Sequence, residues 1–280
     1  MTKSKLASRP APQRTAIRRA IHKSLRIVTL LAPNLFPVYE FITRKIAKEL
    51  RWPAELVVGS SSADLNGHTD ICFLCGLHYI RATSLLEPIA APILRGARYS
   101  GRPIYFSDII VRADTPWQAF ADLRGRSWAY NEPNSHSGYG IIRHHLVETK
   151  ENDSFFGAVV ETGWHERSIR WVRSGRVDAS AIDSHVLAIA FRDDPGLRSD
   201  LRIICTLGPS TIQPVTVARR MPVTLKSELR HLLVEMAEDP EAKDLLNQNF
   251  IERFVPIGDS DYDDIRRMGR AADPAGFESI

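Results

Sequence analysis

The sequence predicts an α/β protein built as two lobes. Its 280 residues suffice for about two units of roughly 100–200 residues each. Segments with strand and helix character alternate along most of the chain, the pattern of strands packed under helices. A Gly-x-x-Asp step into an apolar strand also occurs twice. The copies are Gly67-His68-Thr69-Asp70-Ile71-Cys72-Phe73-Leu74 and Gly175-Arg176-Val177-Asp178-Ala179-Ser180-Ala181-Ile182. In each, Gly ends an element and Asp opens a buried strand. This is expected of two lobes built alike, with coincidence among common turn residues as the plainer alternative.

The elements follow in order. Leu25–Ala32 reads as a buried strand, and Val38–Leu50 as a helix with Phe41, Ile42, Ile46 and Leu50 at helical spacing. Strands are expected over Glu55–Val58 and Asp70–Leu74, a helix over Leu77–Leu86, and strands over Ile89–Leu94 and Ile104–Val111. Pro116–Leu123 reads as a helix stopped by Gly125. A strand Ser127–Tyr130, a helix Gly138–Glu148, a strand Phe156–Val160 and a helix Trp164–Ser174 ended by Gly175 come next. Strands Val177–Asp183 and Leu201–Thr206 enclose another helix. The strand Val215–Ala218 precedes helices over Thr224–Met236, Pro240–Phe250 and Tyr262–Met268.

Composition narrows the function. The net charge of +4 belongs to the N-terminus, where residues 1–26 hold eight Lys or Arg and no acid. The remainder has 29 basic and 33 acidic residues, so a nucleic-acid function for the body has no support. Residues 1–24 read as a disordered solubilising tail, or as a contact for an acidic partner or membrane surface. Basic residues ahead of Leu25–Ala32 look like an export signal, but Arg26 interrupts the apolar run, leaving about five to seven residues against the usual 7–15. The chain as given is therefore expected in the cytoplasm, or in the periplasm if the start of the gene is misassigned. No apolar run reaches about 18 residues, so no transmembrane segment is expected. Cys72 and Cys75 form a C-x-x-C on what reads as a strand, where positions three apart face opposite ways. With no second pair for zinc, they are expected to be buried structural residues. No cofactor motif or metal-ligand spacing stands out.

The segment richest in chemistry is Asn131-Glu132-Pro133-Asn134-Ser135-His136-Ser137-Gly138-Tyr139-Gly140, between the strand Ser127–Tyr130 and the following helix. A turn of Asn, Ser and Gly at a helix start offers backbone N–H groups and hydroxyls to an anion.

This segment, with Asp122-Leu123-Arg124-Gly125-Arg126 before it, resembles the DLKGK-strand-(D/E)PxSxSG(Y/F) signature of the phosphonate/phosphate/phosphite substrate-binding proteins of ABC transporters. Gly163-Trp164-His165-Glu166 resembles the family's GxHE segment with one insertion, and Gly175-Arg176-Val177-Asp178-Ala179 its GxVDxA. Tyr105–Val111 resembles its aromatic crossover strand, and Leu207–Val217 its return strand. The resemblance spans about residues 25–268 and is most specific at the helix start.

It implies a type 2 periplasmic-binding-protein fold: two α/β lobes joined by two crossover strands, with the ligand between them. Lobe 1 would be 25–108 plus 214–270 and lobe 2 would be 109–213. Hinges would lie near Val111–Ala113 and Gly208–Pro214. Ser135, His136 and Ser137 match the anion-binding positions, with His136 where the family usually has Thr. Their N–H groups and hydroxyls would face the oxyanion. His165 matches the ligand-binding His and Tyr105 the cleft Tyr. Read alone, Ser135 and His165 are equally helix caps, and Tyr105 a core aromatic. An acid near Asp183 would hold a protonated oxygen or an amine; alignment puts His185 on that position and Asp183 two residues before it. Gln213 replaces a second acid, and Ser60-Ser61-Ser62 stands where the family has a first-lobe Tyr. The anion end is thus kept and the specificity end rewritten. The resemblance implies a solute-binding protein for a small oxyanion, partnered by a transporter permease and without chemistry of its own. A cytoplasmic enzyme on the same fold, of the menaquinone-pathway or thiamine-precursor type, is the second reading, and an intracellular metabolite sensor the third.

Overall fold

Strands and helices alternate as the sequence predicts. A computed structural model of the protein describes residues 24–59, 62–152 and 154–272. The basic tail, apart from Ser24, lies outside the described residues, as do Ser60 and Ser61. In chain order the first elements are β1 (Leu25–Thr29), α1 (Phe36–Leu50), β2 (Ala54–Val58), β3 (Ile71–Phe73), α2 (Gly76–Arg81) and β4 (Leu86–Leu94). They are followed by β5 (Ile104–Arg112), β6 (Ser127–Tyr130), α3 (Ile141–Glu148), β7 (Ala158–Glu161), α4 (His165–Arg173), β8 (Ala179–Asp183), α5 (Ser184–Asp193) and α6 (Leu197–Asp200). Then come β9 (Leu201–Thr211), β10 (Val215–Ala218), α7 (Val223–Val234), α8 (Pro240–Gln248), β11 (Ile251–Pro256) and α9 (Asp263–Ala272).

The strands form two sheets, ordered β11-β4-β10-β3-β1-β2 and β7-β6-β8-β5-β9. In the first, β1 runs parallel to β2 and β3, and β10 lies antiparallel between β3 and β4. In the second, β6 runs parallel to β7 and β8, while β5 lies antiparallel between β8 and β9. The repeated Gly-x-x-Asp does the same physical work in both. Asp70, just before β3, accepts the N–H of Arg26 in β1 at 2.8 Å. Asp178, just before β8, accepts the N–H of Ser127 in β6, also at 2.8 Å. In each sheet one carboxylate ties the start of a central strand to its parallel neighbour.

Local sequence explains most differences from expectation. The helix expected over Pro116–Leu123 is a single 3-10 turn, Phe120–Leu123. The Asp122 carboxylate accepts the N–H groups of Gln118 and Ala119 at 2.7 and 2.9 Å, a local alternative to helical bonding. The expected helix Leu77–Leu86 stops at Arg81, because Leu86 is already paired with Ala218 of β10. β4 runs through Pro88 with an irregular register against β10. β11, in which Glu252 and Arg253 break the apolar pattern, has no counterpart in the sequence reading.

One core cluster lies around the first sheet, where α1 buries Val38, Phe41, Ile42 and Ile46. Two clusters cover the faces of the second sheet: Trp128 stacks on Phe156 at 4.4 Å on one, and Ile110, Ile169 and Val172 meet on the other. The chain passes between sheets twice, through residues 95–103 and 212–214. Arg98 in the first passage grips the buried Asp108 of β5 through two bonds of 3.0 and 2.8 Å. The hinge expected at Val111–Ala113 is not at a passage: Val111 pairs with Ala179 and Arg202 inside the second sheet, and Ala113 N bonds Asp200 O at 2.8 Å.

Candidate ligand-binding cleft

Where the first sheet's strands end against the turn that precedes α3 and against α4 and α5, the chain forms a cleft with about 820 Å³ of empty space, open solvent at its mouth included. Six of the eight expected site residues line it: Ser135, Ser137, His165, Asp183, His185 and Gln213.

The serine turn forms one wall. Residues His136–Gly140 wind as a π-turn that leads into α3, an irregularity frequent at functional sites. Ser135 caps it, its Oγ accepting the Gly138 N–H at 3.1 Å, so the cap and the lining roles coexist and its own hydroxyl proton stays available. Ser137 Oγ lies 3.2 Å from His165 Nε2. His165 is buried, with its pKa pushed down to about 3 by desolvation, so the ring is neutral. Its Nδ1 has no hydrogen-bond partner among the described residues. The tautomer decides which proton this pair can give: with Nε2–H donating to Ser137, the serine hydroxyl turns to a ligand or to the Tyr105 hydroxyl behind it, and with the proton on Nδ1, that N–H is the spare donor.

Backbone donors differ from expectation. The His136 N–H goes to Cys75 Sγ at 3.2 Å and the Gly138 N–H to Ser135, so neither faces the cavity unpaired. The His136 side chain also turns away. Its Nε2 lies 2.9 Å from Ser210 Oγ, and its ring borders a separate hollow beside Tyr139 and Arg143. Tyr105 is almost wholly buried in the first core cluster, its ring 6.5 Å from that of His136, and does not line the cleft. Both residues back the serine turn.

The same side of the cleft carries acid: Glu132 lies in the serine turn's own segment and Asp183 at the end of β8. Asp183 caps α5, accepting the N–H groups of His185 and Val186 at 2.7 and 3.3 Å, and its other oxygen accepts the Gln213 amide. Burial pushes its pKa up to about 6 despite these donors. Glu132 is pushed up to about 7 by burial and by Glu161 nearby. Both carboxyls therefore carry a proton part of the time near neutrality and can then donate to a ligand oxygen. His185, pushed down to about 4 by burial, donates from Nε2 to the Asn249 carbonyl at 2.7 Å and joins the two sides of the cleft. Asn34 does the same, its N–H reaching Glu166 at 3.1 Å and its amide Val186 O at 3.2 Å.

Several cleft residues were not anticipated. Asn131, Glu132 and Trp164 sit inside the quoted motifs but were not singled out. Cys72 and Cys75 are both buried, but β3 ends at Phe73, so Cys75 precedes α2 and lines the cleft instead of occupying a strand face. Gly138 is required by close approach: a Cβ there would stand 2.0 Å from Asn131 Oδ1 and 3.3 Å from His165 Cε1. Gly138→Ala is expected to displace both side chains, costing about 1–3 kcal/mol of stability, measurable by urea unfolding.

Comparison with known proteins gives the family and the fold. Residues 38–262 match the family described as ABC transporter, phosphonate, periplasmic substrate-binding protein. The chain belongs to this family. It is a family of solute-binding proteins, not of enzymes. A binding-protein component of an ABC phosphonate transporter from Pseudomonas aeruginosa superposes with a TM-score of 0.79 at 16% identity, over 90% of this chain and 87% of that one. PhnD1 from Prochlorococcus marinus, solved with methylphosphonate, gives 0.74 at 17% identity over 89% and 97%. The aliphatic sulphonate binding protein SsuA of Escherichia coli gives 0.57 at 15% over 89% and 86%. At such identities the likeness is one of fold. The fold is the two-lobed type 2 periplasmic-binding-protein fold, with two α/β lobes joined by two crossovers. No helix among the described residues is long and apolar enough to cross a membrane.

Proposed function

We propose that the protein captures a small phosphonate, phosphate or related oxyanion in this cleft and presents it to the permease of an ABC transporter from the periplasm. The observation that carries the reading is the convergence of Ser135, the Ser137–His165 pair and Asp183 on one cavity, in a chain of the phosphonate-binding family. Ser135 and the Ser137–His165 pair each offer a proton to the anion, and a protonated Asp183 offers a third. Hydrogen bonds to a charged group contribute about 1.5–3 kcal/mol each, so three support micromolar or tighter binding after ordering costs.

The two sheets are the moving bodies in this reading, with the passages at 95–103 and 212–214 as hinges. His185–Asn249 and Asn34–Glu166 then act as latches of the closed form. The family's location supports the periplasm over the cytoplasm expected from residues 1–32. Thermal unfolding with methylphosphonate, phosphate and phosphite tests the proposal. A true ligand at about 100 times its Kd should add about 2.7 kcal/mol. Absence of a shift with every oxyanion would reject the assignment.

A further inference from the structure

The cleft is two-faced. Opposite the serine turn its wall is apolar: Val38 and Ile42 of α1, Phe73 of β3, and Ile251 and Phe254 of β11 all border the same cavity. Tyr39 of α1 also borders it and stacks on Phe73 with ring centroids 4.6 Å apart. At the mouth, the half-buried Leu31 and Trp164 extend this surface. Among the described residues neither Lys nor Arg lines the cavity, and its carboxyls, Glu132 and Asp183, are when ionised of the same sign as an oxyanion.

A bare inorganic ion would use only the serine end. It would make no use of the apolar wall, and would meet no opposite charge to offset its dehydration. Binding energy in such a cavity comes from apolar burial added to a few oriented donors.

We infer that the ligand is an oxyanion carrying an apolar organic substituent, its head on Ser135, Ser137 and His165 and its substituent between α1 and β11. The inference rests on the proposed oxyanion site and adds the substrate class. The rewritten specificity end of the cleft is then a hydrocarbon subsite.

Titration calorimetry on the wild-type protein with inorganic phosphate and methyl-, butyl- and phenylphosphonate separates the two ideas. Affinity should rise roughly fourfold for each buried methylene, so butylphosphonate should bind at least about tenfold tighter than methylphosphonate. If methylphosphonate or phosphate binds as tightly as the butyl and phenyl compounds, the apolar subsite is overturned and the oxyanion site stands. If none binds, the oxyanion site fails and this inference with it. In the Val38→Thr/Ile42→Thr variant the butyl-to-methyl affinity ratio should drop by at least about threefold, a comparison insensitive to the fraction of protein folded. An unchanged ratio would also overturn the subsite.

Discussion

Replacing Ser135 and Ser137 together by alanine should weaken phosphonate binding by at least about tenfold, and by more if both hydroxyls meet the anion. Each supplies a donor to a charged group, worth about 1.5–3 kcal/mol. The double variant also strips His165 Nε2 of its partner at 3.2 Å, which frees the ring that the serine orients. Loss of the Ser135 cap on Gly138 N costs about 0.5–2 kcal/mol of stability, so the protein should still fold. Calorimetric titration of wild type and variant, with a thermal melt of each, separates lost binding from lost structure. Equal affinities would remove the serine turn from the site.

Acid should destabilise this protein well above the pH at which exposed carboxylates titrate. Burial holds four histidines neutral: His78 and His185 are pushed down to about 4, His136 and His165 to about 3. The unfolded chain protonates each of them near pH 6.5, so each removes stability as the pH falls from 6.5 towards 4. Asp183 and Glu132 act in the opposite sense. Their folded values, about 6 and about 7, exceed the unfolded ones, so they favour the folded state as pH falls through that range. Four groups outweigh two. Near pH 5 the unfolded chain binds about two more protons, which corresponds to a loss of roughly 3 kcal/mol per pH unit at the steepest point. Urea unfolding at intervals from pH 7 to 4.5 measures this slope. His136→Gln, which keeps a donor facing Ser210, should flatten it by about one proton. A flat profile would show that the histidines are not held neutral.

The serine turn of the candidate site could be read from sequence because it is local. Asn131 to Gly140 follows a strand and enters a helix, and a strand–turn–helix unit exposes its turn at the sheet end wherever the rest of the chain goes. The direction of each side chain there was not readable. Ser135, His136 and Ser137 are consecutive, yet two line the cleft and His136 points behind them. That is decided by a π-turn and by Cys75 and Ser210, which lie 61 and 74 residues away in the chain.

The sequence by itself determined the alternation of elements, the two-lobed plan and the family. Periodicity and turn chemistry act over a few residues, and the Gly-x-x-Asp step repeats a local device in each sheet. Only the tertiary structure decided what faces the cleft from the first lobe. Val38 and Phe73 belong to segments that read as an ordinary helix and strand, and Phe254 to one with no counterpart in the sequence reading. Apolar burial is non-directional and carries no local signature of what it covers. Whether such a side chain packs on protein or borders a cavity depends on how β11, β3 and α1 meet, and long-range strand pairing sets that.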